Sequence, residues 1–107
     1  MSTRLPGARY KGVFARGKSL KGRLLVAWHL RTDGADRKAG VVVSKKTFHD
    51  AVDRNRAKRI LREGFRLVVD EMPADADWVL VGRASLGGRR TADVMRELRY
   101  LATKCGR

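Results

Sequence analysis

Residues 54–72 constrain the fold more than any other stretch. At 100° per residue, Ala57, Ile60, Leu61, Gly64, Phe65, Val68 and Met72 fall on one face of a helix. A stripe of that length has to be covered, and a sheet is the partner it suits. Pro73 cannot continue the helix and sets its end near Met72. Asn55, Arg59, Arg62 and Arg66 fall together on the opposite face, flanked by Arg56, Lys58 and Glu63. A solvated face usually mixes signs so that i,i+4 pairs form, yet this row has only Glu63 beside it. The planar fork of arginine binds phosphate bidentately and stacks on bases. The segment therefore predicts a helix with a core face and a polyanion face. Val52 falls off the stripe when the helix is extended backwards. Residues 45–53 are accordingly expected to enter through a bend or a change of register, bringing Lys45, Lys46 and Arg54 to the start of the row.

Charge supports the same partner. A chain of 107 residues is one domain and buries roughly two thirds of its unfolded surface. Its 43% hydrophobic content gives it a core, while its net charge of +14 makes the compact state repel itself. Nucleic acid answers that imbalance, and an anionic membrane surface is the competing answer. No apolar run has the length of a membrane span, and the N-terminus lacks a signal-peptide pattern, so a cytoplasmic protein is expected. Cys105 is the sole cysteine, which excludes an intramolecular disulfide and leaves an inert thiol as the expectation. His29 lies in an apolar run and His49 opens a helical stretch, so both are expected to be structural or solvated. Asp33, Asp36, Asp70, Glu71, Asp75 and Asp77 lie in or beside apparent turns without metal-loop spacing. "SLGGRR" lacks the lysine and hydroxyl of a phosphate loop. Nothing in the chain reads as a protein-borne active site.

Around the long helix, residues 1–8 read as a flexible basic arm. "RYKGVFARG" predicts a short helix with Tyr10 and Phe14 one turn apart and Gly17 as its stop. Residues 24–30 predict a strand with Leu24, Val26, Trp28 and Leu30 on one face. Asp33-Gly34 is the expected pivot of the following turn, and "AGVVVSKK" is a second β-rich run. "DWVLVGR" is another strand, and "TADVMRELRYLATK" a closing helix with Thr91 as its N-cap and Val94, Leu98, Leu101 and Ala102 as its stripe. The alternation predicts one α+β unit. Tyr10, Phe14 and Trp28 are either core or the lining of a groove. Rings beside positive charge suit single-stranded nucleic acid, where stacking is worth about 1–3 kcal/mol per base. RNA is favoured over duplex DNA, because no helix-turn-helix or zinc-finger spacing is present.

"SKKTFHDAVDRNRAKRILREGFR" closely resembles the protein subunit of bacterial ribonuclease P. "RYKGVFARGKSLKGRLLVAWHL" and "DWVLVGRAS" look like that family's first helix and strand and its last strand. The resemblance implies a two-layer α+β sandwich of the ribosomal protein S5 domain 2-like type. Its four-stranded mixed sheet has the order αβββαβα and a left-handed βαβ crossover. It implies an accessory chain of a holoenzyme that removes the 5′ leader of precursor tRNA, with catalysis by an RNA subunit using Mg²⁺. The protein would bind that RNA in a 1:1 complex as a monomer, with no membrane, small-molecule substrate, metal or cofactor of its own. By position, Arg54, Asn55, Arg56, Lys58, Arg59, Arg62 and Arg66 match the helix that contacts ribonuclease P RNA. Tyr10, Phe14, Trp28, Ser44, Lys45 and Lys46 match the cleft that receives the single-stranded leader. This chain departs from the pattern at Arg9, where an acidic residue is usual, and in a connector "TFHD" one residue longer than the commonest form. It also departs at Gly64, which stands for a frequent alanine and is expected to loosen the helix. A general RNA- or DNA-binding module and a membrane-surface protein are the competing readings.

Overall fold

The computed structural model describes residues 4–32 and 37–105; the expected Asp33-Gly34 pivot, with Asp36, lies outside them. Seven elements follow in the order α1 (Tyr10–Arg16), β1 (Lys18–Lys21), β2 (Leu25–Arg31), β3 (Lys38–Val42), α2 (Ala51–Val68), β4 (Ala76–Gly82) and α3 (Thr91–Lys104). They form a four-stranded mixed sheet in the order β1-β2-β4-β3. β2 is antiparallel to β1 and β4, whereas β3 runs parallel to β4, with α2 as the crossover that parallel neighbours require. The α+β sandwich with αβββαβα order is thus as expected. β1 carries no apolar alternation of its own. It is an exposed edge strand flanked by Lys18 and Lys21, a composition that discourages pairing with another chain.

The sheet has two unlike faces. On one, Leu25, Ala27, Ala39, Val41, Trp78 and Leu80 pack under the stripes of α2 and α3 to form the main core. Leu24 belongs to this core, not to the face of Trp28: β2 begins at Leu25, so the two-residue period puts Val26, Trp28 and Leu30 on the other side. That other face carries α1 and a smaller cluster around Leu5, Val13 and Val79. Arg4 and Leu5, read as part of a flexible arm over residues 1–8, lie along β3: Leu5 is 5% exposed and its N–H donates to the Ala39 carbonyl at 3.0 Å.

The entry of α2 differs from expectation. The helix runs unbroken from Ala51, with Asp50 as N-cap, and Val52 sits within it at 78% exposure. No bend is needed, because a single apolar side chain on a surface costs little. The change of direction occurs in residues 44–50, where His49 is exposed and Phe48 buried. At its other end α2 stops at Val68 and tightens into a 3₁₀ turn, Val69–Glu71, before buried Met72. The N-cap of α3 likewise lies one residue earlier than expected: Arg90 takes the place of Thr91, and its N–H donates to the Asp93 carboxylate at 2.9 Å.

Gly64 is not a slack point. A Cβ there would stand 2.5 Å from Val94 Cγ1 and 3.0 Å from Val94 Cβ, so its absence is what lets α2 and α3 approach. Gly64→Ala gains about 1 kcal/mol of helix propensity. It overpacks a fully buried, β-branched neighbour at a cost of about 1–3 kcal/mol. The expected result is a lower melting temperature for Gly64→Ala and recovery in Gly64→Ala/Val94→Ala. Thermal unfolding of the pair checks it, and a raised melting temperature in the single variant would contradict it.

Candidate nucleic-acid interface

The outer face of α2 presents Asn55, Arg59 and Arg66 exposed and Arg56, Lys58 and Arg62 half-buried. Their surroundings differ. Arg54 donates through Nη1 to the carbonyls of Phe48 at 3.0 Å and His49 at 2.9 Å, closing the longer connector against the helix start. Arg56 donates to the Arg89 carbonyl at 2.6 Å. Arg66 pairs with Glu63, which pushes the arginine above its ordinary value and holds the carboxyl below its own. Arg62 is held below the usual guanidinium range by burial and then by the nearby charge of Arg4. Arg59, Lys58 and Arg62, with Asn55, are the central part of the row.

The second surface lies on the α1 side of the sheet. Ser19, Trp28, Val79 and Gly40 form one row across the four strands, by the registers Ser19↔Trp28, Trp28↔Val79 and Gly40↔Val79. Phe14 stands edge-on to Trp28, centroids 5.4 Å apart at 74°, and remains 39% exposed. At the other end the Tyr10 ring lies on Gly40, where a Cβ would overlap it, and its hydroxyl accepts the Val41 N–H at 3.1 Å. The next row, Val26, Val81 and Val42, is half-buried and supplies an apolar floor beside the rings. Composition did not single out these three valines or Gly40, although the two-residue period placed Val26 on the Trp28 face. Ser44 stands at the rim, but its Oγ accepts the Thr47 N–H at 3.1 Å and bonds the Thr47 hydroxyl at 2.9 Å. Ser44 therefore shapes the turn that leaves Lys45 and Lys46 exposed.

The two surfaces meet at the edge of β3. An open recess of about 320 Å³ there is lined by Arg4, Leu5, Pro6, Tyr10, Ala39 and Arg62. The groove wall is fixed from below by Arg9, which reaches Asp77 Oδ2 at 2.7 Å. Asp77, which opens the strand expected at "DWVLVGR", is a β4 residue whose side chain is 4% exposed. A charge buried that far needs its partner, so Arg9 anchors the start of α1 over the sheet.

His29 and Cys105 are structural. His29 Nε2 lies 3.6 Å from Cys105 Sγ, tying the end of α3 to β2. Burial lowers the histidine and raises the thiol, keeping both neutral and the cysteine a poor nucleophile. Among the described residues no three His, Cys, Asp or Glu side chains gather as a metal site, and no helix is long and apolar enough to cross a membrane.

Residues 5–106 match the family model for ribonuclease P. The ribonuclease P protein component of Clostridium botulinum strain Langeland is 37% identical over 98 residues, spanning 91% of this chain and 87% of the relative. That of Oleidesulfovibrio alaskensis is 38% identical over 101 residues, spanning 84% and 80%. Among solved structures, the ribonuclease P protein of Thermotoga maritima superposes with a TM-score of 0.83 at 28% identity, covering 97% of this chain and 98% of that one. With sequence and fold matched over almost the whole of its length, the chain belongs to the ribonuclease P protein family, the protein subunits of a tRNA-processing enzyme.

Proposed function

We propose that α2 binds ribonuclease P RNA through Asn55, Lys58, Arg59 and Arg62, with Arg54, Arg56 and Arg66 at its margins. In the same reading the groove of Tyr10, Phe14, Trp28, Lys45 and Lys46 holds the single-stranded 5′ leader of precursor tRNA, and Ser44 shapes its rim. The observation that carries this is the recess where Arg62 and Tyr10 meet, because it makes one continuous path from basic helix to aromatic floor. Guanidinium groups supply phosphate contacts that fix register, while ring faces supply stacking indifferent to base identity. The chain acts as a cytoplasmic, monomeric accessory subunit in a 1:1 complex. Leader removal is the work of the RNA with its Mg²⁺, as the resemblance to the family implies.

The test is the salt dependence of binding to a bacterial ribonuclease P RNA. Arg59→Ala/Arg62→Ala should weaken binding and reduce the log–log salt slope by about 0.7–0.9 for each phosphate no longer neutralised. An unchanged slope would remove the row from the interface. Equal affinity of the reconstituted complex for precursor and mature tRNA would favour a general RNA-binding module instead.

A further inference from the structure

The loop between β4 and α3 and the hairpin between β1 and β2 meet at one end of the sheet, where Arg23, Arg83, Arg89 and Arg90 are carried on neighbouring backbone. Arg83, Arg89 and Arg90 are exposed. This end is cross-braced. The Arg83 N–H donates to the Leu24 carbonyl at 2.9 Å and its Nη1 to the Gly22 carbonyl at 3.0 Å, while the Ser85 hydroxyl donates to the Arg23 carbonyl. Arg56 of α2 holds the Arg89 carbonyl, so the loop is fastened at both ends. The carboxylates of α3 nearest to it are already engaged. Glu97 accepts the N–H groups of Arg23, Leu24 and Leu25, and Asp93 accepts that of Arg90 and lies 3.5 Å from Arg96. Among the described residues neither Arg89 nor Arg90 makes an ion pair.

Like charges held close on braced loops repel one another, and a polyanion is the partner that relieves them. The charged residues of the cluster are all arginine, the side chain suited to phosphate. No aromatic residue lies in residues 83–90, so stacking on bases is not what this surface provides. Its one large apolar side chain, Leu86, is fully buried, which leaves nothing to enter a membrane. We infer that the loop and hairpin form a second seat for the phosphate backbone of folded RNA, reached from the first turns of α2 and separate from the leader groove. This rests on the reading of α2 as the RNA-binding helix.

Binding of ribonuclease P RNA is measured against salt concentration for the intact chain, Arg89→Ala/Arg90→Ala, Arg89→Lys/Arg90→Lys and Arg59→Ala/Arg62→Ala. The Asp93 carboxylate is bonded by the backbone N–H of Arg90, so the alanine variant keeps that bond, and thermal unfolding verifies the fold. The alanine variant is expected to lose about 1.4–1.8 from the salt slope. The lysine variant is expected to keep the slope, and the preference for precursor over mature tRNA to be unchanged in both. A slope unchanged in Arg89→Ala/Arg90→Ala but reduced in Arg59→Ala/Arg62→Ala overturns the second seat alone. A slope unchanged in both overturns the reading of α2 with it. Loss of the precursor preference in Arg89→Ala/Arg90→Ala would assign the loop to the leader and overturn the inference as stated.

Discussion

Glu97→Ala is expected to lower the melting temperature by more than about 10 °C, the shift that about 3 kcal/mol produces in a domain of this size. The side chain of Glu97 crosses from α3 to the hairpin and accepts three backbone N–H groups in succession, Arg23 at 2.9 Å, Leu24 at 2.8 Å and Leu25 at 3.0 Å. Bonds to an ionised acceptor are the stronger kind. Alanine leaves those donors without an acceptor, two of them in part-buried bonds, and each orphaned buried donor costs about 1–3 kcal/mol. Glu97→Gln keeps one carbonyl oxygen but turns an NH₂ group toward the donors, so it should fall between alanine and the native chain. Thermal unfolding followed by circular dichroism checks the order. An alanine variant as stable as the native protein would mean that water replaces the carboxylate at no cost.

The second large effect is expected at Gly40, and it should appear in binding more than in stability. A Cβ at this position overlaps the Tyr10 ring. The ring is half-buried at the border of the recess, whereas β3 is fixed by its parallel register with β4. The ring is therefore what yields, losing the bond between its hydroxyl and the Val41 N–H. Removing one stacking platform costs about 1–3 kcal/mol, or roughly five- to 150-fold in affinity. Gly40→Ala should thus reduce the preference of the reconstituted complex for precursor over mature tRNA while leaving binding to the RNA subunit intact. Tyr10→Ala should reproduce it. An unchanged preference in both variants would take Tyr10 out of the leader groove.

What could be read from the sequence followed the range of each signal. α2 was legible because its stripe and its arginine row repeat over several turns and end at a proline. The aromatic groove was half legible: the spacing of Tyr10 and Phe14 and the parity of Trp28 were local, but the rows that join them to Gly40, Val42 and Val81 exist only once strands distant in sequence are in register. Gly64 read as a defect because its reason for being glycine, Val94, lies on another helix. Val52 suggests a bend only where an apolar residue must be buried, and here it is 78% exposed within an unbroken first turn. Asp77 reads as an uninformative carboxylate at the edge of a strand because its partner Arg9 is far away in the chain, although an arginine where acid is usual and an acid beside an apolar run are together a trace of that pair. β1 left no apolar trace, being polar and at an edge.

The most direct measurement is reconstitution with a bacterial ribonuclease P RNA, following cleavage of precursor tRNA at low Mg²⁺ with and without the chain. A protein that seats the RNA and holds the leader should give rapid release of an intact 5′ leader only when it is present, with a weaker dependence on the chain as Mg²⁺ is raised. Equal cleavage with and without the chain at low Mg²⁺ would contradict that role.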